Sequence, residues 1–203
     1  MYFDSHAHLT EDCFAQDFDS IVENMKEASV TGMMEIGYDL PSSEKAVQLA
    51  ERFSWVHAAV GSHPDDAAQV DEARIAVYRE LCKNPRVKAI GEIGLDYYWH
   101  KEKEEHLLQQ KVFRQQMDIA REKKLPFMIH SRDAAEDTLN IVREYMKDGM
   151  YGGVIHCFSY SKEIAREYLN MGLYLGIGGV VTFKNSRKLK EVAEYAPLNQ
   201  ILL

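Results

Sequence analysis

Residues 3–10 read FDSHAHLT, and they close a first strand predicted over residues 2–8. Side chains on a strand alternate between faces, so His6 and His8, two apart, aim their rings into the same space. No G-x-G-x-x-G follows this strand, which argues against the dinucleotide-binding form of an open parallel sheet. What a pair of imidazoles does at the end of a first strand depends on what the rest of the chain brings beside it.

Working outward, strand and helix alternate to the end. Strands are predicted in GMMEIGY from 32, WVHAAVGSHP from 55, VKAIGEIGLDYY from 87, LPFMIH over 125–130, YGGVIHCF from 151, LYLGIGGVVTF from 173 and QILL from 200. Helices are predicted over 19–30, 41–53, 72–83, 101–124, 134–147, 161–171 and 186–195. The first presents Phe18, Ile21, Val22, Met25 and Ala28 as one stripe. The fifth carries Ala135, Thr138, Leu139, Val142, Tyr145 and Met146 at three- and four-residue spacing, and Pro197 stops the last. Eight strands strictly alternating with seven helices predict a parallel sheet covered by helices. With short loops, 203 residues suffice for a closed (β/α)8 barrel forming one domain over 1–203.

The net charge of −8 excludes broad phosphate neutralisation as a way of holding nucleic acid, so any phosphate chemistry must rest on a local site such as bound cations. No apolar run is long enough to span a bilayer, and the N-terminus lacks a signal-peptide pattern. Three scattered cysteines, Cys13, Cys82 and Cys157, read as free thiols, and a cytoplasmic protein is expected.

On this frame the polar residues fall at strand ends. His6 and His8 close strand 1, Glu92 lies at the end of strand 4, His130 ends strand 5 and His156 ends strand 6. In a parallel barrel these positions share the C-terminal mouth, where active sites are built. Four imidazoles and a carboxylate there form a metal-ligand set. Such donors suit Zn, Mn, Fe or Ni, and Mg or Mn where oxygen ligands dominate. Two ions bridged by a carboxylate could activate water and stabilise both oxygens of a phosphoryl displacement. His63, after strand 3, faces the same mouth and suits substrate contact or loop packing. Arg132 suits a phosphate or a carboxylate, and Lys184, after strand 7, suits a phosphate. Structural roles are expected for His57, His100 and His106, a helix cap for Asp133, and a buried small side chain for Cys157.

FDSHAHL, GSHP, GEIGLDYY, PFMIHSRDA, GGVIHCFS and GGVVTFKN, in this order, resemble the TatD family of metal-dependent deoxyribonucleases over the whole chain. That family belongs to the amidohydrolase-like barrels and hydrolyses phosphodiester bonds in DNA, in some members from the 3′ end of single strands. The resemblance implies that His6 and His8 hold one divalent ion, that His130 and His156 hold a second, and that Glu92 bridges them. Mg2+ or Mn2+ is the implied pair, with Zn2+ an alternative occupant, and single-stranded DNA is the implied partner. In the family the eighth strand continues from ILL into a Glu-Thr-Asp segment whose Asp completes the first metal site and serves as base. Leu203 precedes that segment, so an incomplete eighth strand, missing terminal helices and reduced turnover are expected here, with no catalytic base assigned. An amidohydrolase acting on a C–N bond or lactone, or an inactive metal- or nucleic-acid-binding paralogue, is the alternative.

Overall fold

A computed structural model describes the chain from Met1 to Leu203. Its strands are β1 (Tyr2–Ala7), β2 (Val30–Ile36), β3 (Val56–Val60), β4 (Val87–Asp96), β5 (Phe127–Arg132), β6 (Gly153–Ile155), β7 (Tyr174–Gly176) and β8 (Ile201–Leu202). Between them run α1 (Phe18–Glu27), α2 (Leu40–Arg52), α3 (Glu72–Leu81), α4 (Lys103–Lys123), α5 (Ala135–Lys147), α6 (Lys162–Asn170) and α7 (Arg187–Tyr195). All seven strand pairings are parallel and run in chain order from β1 to β8. The result is a nearly closed TIM barrel, in which Ser5 Oγ donates to the Leu203 carbonyl at 2.8 Å across the β1–β8 seam.

Local sequence explains the frame. Asp39 caps α2 by accepting the Ser42 amide at 2.8 Å, and Pro41 sits in the first turn, where its missing N–H costs nothing. Asp71 caps α3 in the same way through the Arg74 amide. A layer of Ile36, Ala59, Ala89, Met128 and Val154, one residue from each of β2 to β6, packs as its own apolar cluster. Met128 touches His6, so this layer is the floor beneath the mouth. The larger core, with Phe113, Met117, Ile119, Leu139, Val142 and Tyr168 from the helices, fills the space outside the sheet.

The barrel is not uniform. The predicted strand from 173 to 183 ends at Gly176, and Gly179–Thr182 forms a 3-10 turn instead. Gly178 and Gly179 have no side chains to pack against a sheet face. Two smaller expectations also fail. Asp133 does not cap α5: its φ of 53° puts it in the left-handed region, which Asp tolerates, and Ala134 takes the cap position without a side-chain bond. Cys157, with φ of 44°, is exposed rather than buried, because the backbone turns immediately after His156.

Candidate metal centre

β1 delivers His6 and His8, β4 delivers Glu92 and β5 delivers His130 to one end of the barrel. The close approach of β4 to β5 requires Gly94. Its φ is 144°, and a Cβ there would collide with the His130 carbonyl oxygen. GEIGLD is therefore a packing requirement as well as the segment that carries the candidate ligand Glu92.

The hydrogen bonds decide where each ring's lone pair points. His8 Nδ1 lies 3.0 Å from the Ile36 carbonyl, which only accepts, so Nδ1 carries the proton and Nε2 is left bare. His6 Nδ1 faces the Met128 sulfur at 2.9 Å, again an acceptor, which leaves His6 Nε2 bare. The two bare Nε2 atoms are 3.1 Å apart, and His6 Nε2 is 3.4 Å from Glu92 Oε2. On the other side His130 Nε2 donates to Asp96 Oδ2 at 3.0 Å, while its Nδ1 faces Glu92 Oε1 at 3.3 Å. Three imidazole nitrogens and both oxygens of one carboxylate thus converge, and their outer ring nitrogens are already satisfied. Lone pairs packed at these distances repel unless a cation or proton lies among them. The donor set fits a divalent metal, with Asp96–His130 as the outer carboxylate–histidine pair that metal sites use.

Two ligand clusters share Glu92: His6, His8 and Glu92 on one side, and His63, Glu92 and His130 on the other. Burial pushes the Glu92 carboxyl up, but hydrogen bonds and charge from His130, and from His6 in its protonated form, overcome it and hold the group well below the ordinary range. His130 is opposed by burial and raised by Asp96 and Glu92 to about 9, so without metal it holds the proton that an ion would displace. Asp96 is raised by burial and lowered more strongly by His130 and by the Tyr98 and Trp99 amides, to about 2.

The remaining expected residues spread out. His63 packs edge-on against His130, with ring centres 4.2 Å apart, and its Nδ1 accepts the Asp65 amide at 3.2 Å. His156 lies flat on His6, with ring centres 3.4 Å apart, and belongs to neither cluster. Burial lowers it to about 4, so it is neutral at pH 7. Arg132 meets no carboxylate: its guanidinium lies 3.9 Å over the Tyr98 ring. Lys184 is exposed between the 3-10 turn and α7. His57 and His106 stack on Phe3 and Tyr97, and His100 bridges Asp65 and Glu105.

Two acids escaped the sequence reading. Asp96 closes GEIGLD, four residues after Glu92, and that position at a strand end was the available signal. Glu35 is fully buried in β2 and accepts the Leu9 amide at 2.8 Å and the Thr10 amide and hydroxyl at 2.8 and 2.7 Å. It pins the segment just beyond His8. Its signal was an acid inside an otherwise apolar strand.

The family model of TatD related DNases matches residues 3–203. The chain belongs to the TatD family. Among TatD relatives, YabD of Bacillus subtilis, an uncharacterised metal-dependent hydrolase, is 40% identical over 203 residues, covering 100% of this chain and 78% of its own. The 3′-5′ ssDNA/RNA exonuclease TatD of Salmonella typhimurium is 32% identical over 202 residues, covering 99% of this chain and 76% of its own. The crystal structure of YjjV, a TatD homologue from Escherichia coli, superposes with a TM-score of 0.90 at 24% identity over 100% of this chain and 77% of that one, which establishes the shared fold. Membership makes the chain one of a family of metal-dependent hydrolases, and its His/Glu cluster is able to bind metal. No helix is long and apolar enough to cross a membrane.

Proposed function

We propose that this chain hydrolyses phosphodiester bonds in single-stranded DNA, trimming from the 3′ end with two divalent ions, Mg2+ or Mn2+ in the first instance and Zn2+ as a substitute. The observation that carries this reading is Glu92, whose two oxygens face different histidine clusters. A carboxylate in that position suits two ions rather than one. His6 and His8 would hold the first, and His130 the second, with His156, kept neutral within the same mouth, completing it. When bound, such ions supply Lewis acidity and an activated water, which suits phosphoryl transfer. The relative named as a 3′-5′ ssDNA/RNA exonuclease supports the substrate class.

The chain's own groups have distinct tasks in this reading. Asp96 orients His130 and fixes its tautomer. His63, with Nδ1 taken by the Asp65 amide, carries its proton on Nε2 when neutral, and burial and the charge of His130 keep it neutral. It would then offer a donor to a phosphate oxygen rather than a lone pair to an ion. Arg132 and Lys184 supply positive charge at the rim of an acidic protein.

The test is cleavage of end-labelled single strands with Mg2+ or Mn2+, alongside lactone and amide substrates under the same metal. Stepwise loss from the 3′ end supports the proposal. Turnover of the lactone or amide with none of the oligonucleotide would replace it with the amidohydrolase reading. Metal titration of His130→Ala and His156→Ala, each expected to weaken one ion, tests the ligand set separately.

A further inference from the structure

Three side chains at the rim make no hydrogen bond or ion pair within the chain: Tyr98, Trp99 and Arg132. Trp99 is 66% exposed and Tyr98 41%. They are not loosely held. Asp96 Oδ1 accepts the Tyr98 amide at 2.9 Å and the Trp99 amide at 3.0 Å, and the Arg132 carbonyl accepts the Tyr97 amide at 2.8 Å. The Tyr98 and Trp99 rings meet edge to face at 4.7 Å, and the Arg132 guanidinium lies 3.9 Å from the centre of one and 5.5 Å from the other.

Their position matters as much as their chemistry. Arg132 pairs with Asp96 across the β4–β5 ladder and stands two residues beyond His130 on β5, about 7 Å along the strand. The other oxygen of the same Asp96 holds His130. One carboxylate therefore sets both a candidate metal ligand and the aromatic pair beside it. Flat aromatic faces with a cation over them, next to a phosphodiester site, match a ligand that carries π-faces and phosphates on one backbone.

We propose that Tyr98, Trp99 and Arg132 form a stacking subsite that holds an unpaired nucleobase beside the metal centre, an inference that rests on the nuclease reading above. Stacking would seat any base, so the subsite selects for single strands rather than for sequence.

The chain has two tryptophans, and in a Trp55→Phe variant Trp99 reports alone. The probes are a phosphorothioate-linked thymidine hexamer, which resists cleavage, and an abasic hexamer on the same backbone. The thymidine hexamer should quench Trp99 emission saturably and bind about 5- to 100-fold more tightly than the abasic one. Trp99→Ala should reduce its affinity to the abasic level, and Trp99→Phe should restore most of it. Equal binding of the two hexamers without quenching, on a protein that still cleaves ordinary single strands, would overturn the subsite and leave the nuclease reading standing. Absence of both hexamer binding and cleavage would overturn the nuclease reading, and the subsite with it.

Discussion

The β1–β5 side of the barrel and the β6–β8 side carry candidate functional residues in different ways. β4 runs ten residues and is buried at all but one of them, and β1, β3 and β5 bring His6, His8, His63 and His130 to within a few ångströms of Glu92. β6 and β7 run three residues each, and the segment after β7 leaves Val180, Phe183 and Lys184 exposed. On the long-strand side each ligand ring has its second nitrogen occupied by Ile36, Met128 or Asp96, so tautomer and direction are set before any ion arrives. On the short-strand side only His156 reaches the cluster, and it does so by stacking. Long buried strands fix the direction of the rings they carry, and the short ones leave exposed side chains beside them.

The most severe way to break this contrast is at its centre. Glu92→Gln keeps the volume but removes the shared charge, and should lower metal-dependent hydrolysis more than about 100-fold and weaken binding at both ion positions by calorimetry. If one ion still binds with native affinity, the two clusters do not share this carboxylate. Next in size is Asp96→Asn. The new side chain can still accept the Tyr98 and Trp99 amides but no longer holds His130 by charge. Metal affinity should fall about 10- to 100-fold without unfolding, read by titration and circular dichroism.

A pH series on metal-free protein sharpens the same point. His130 is raised from 6.5 to about 9 in the fold, so its contribution is complete below about pH 6.5 and is lost as pH rises through 9, at most about 3 kcal/mol. Asp96 is lowered from 3.8 to about 2, so its contribution is present above about pH 4 and is lost as pH falls through 2. His156, lowered to about 4, works in the opposite sense: its contribution is present above about pH 6.5 and is lost as pH falls toward 4. The melting temperature should therefore rise to a maximum near pH 6.5 and decline toward pH 9, and His130→Gln should flatten that decline. A curve that rises from pH 6.5 to 9 would contradict the assignment. The smallest effect belongs to the open side. Lys184→Ala should leave metal content unchanged and weaken single-strand binding only a few-fold, lowering the salt slope by about 0.7 in fluorescence anisotropy. A loss as large as that of Asp96→Asn would make the short-strand side part of the ordered site.

The sequence was most legible on the long-strand side. An apolar run ending in His, or in Gly-Glu, marks the end of a strand and what it carries, so His6, His8, Glu92 and His130 could be placed at one mouth from local pattern alone. The same reasoning overextended β7 through GGVVTF, since a run of apolar residues reads as strand even where the backbone turns out of the sheet. It grouped His156 with His130 and left His63 between substrate contact and loop packing, whereas His63 is the ring packed on His130 and His156 stacks on His6, because the paths of these segments depend on packing.

What the sequence determined by itself was chain order: eight strands, seven helices, and the end of each strand at which the polar residues stand. Those are properties of neighbours along the chain, where a period of two or of 3.6 can be counted. The tertiary structure alone decided the pairings that give the site its chemistry. Asp96 finds His130 across 34 residues, Glu35 reaches Leu9 and Thr10 across 26 and 25, and the Met128 sulfur meets His6 across 122. A hydrogen-bond partner on another strand leaves no mark on local periodicity, yet it fixes which nitrogen of each imidazole carries the proton, and so where each lone pair points.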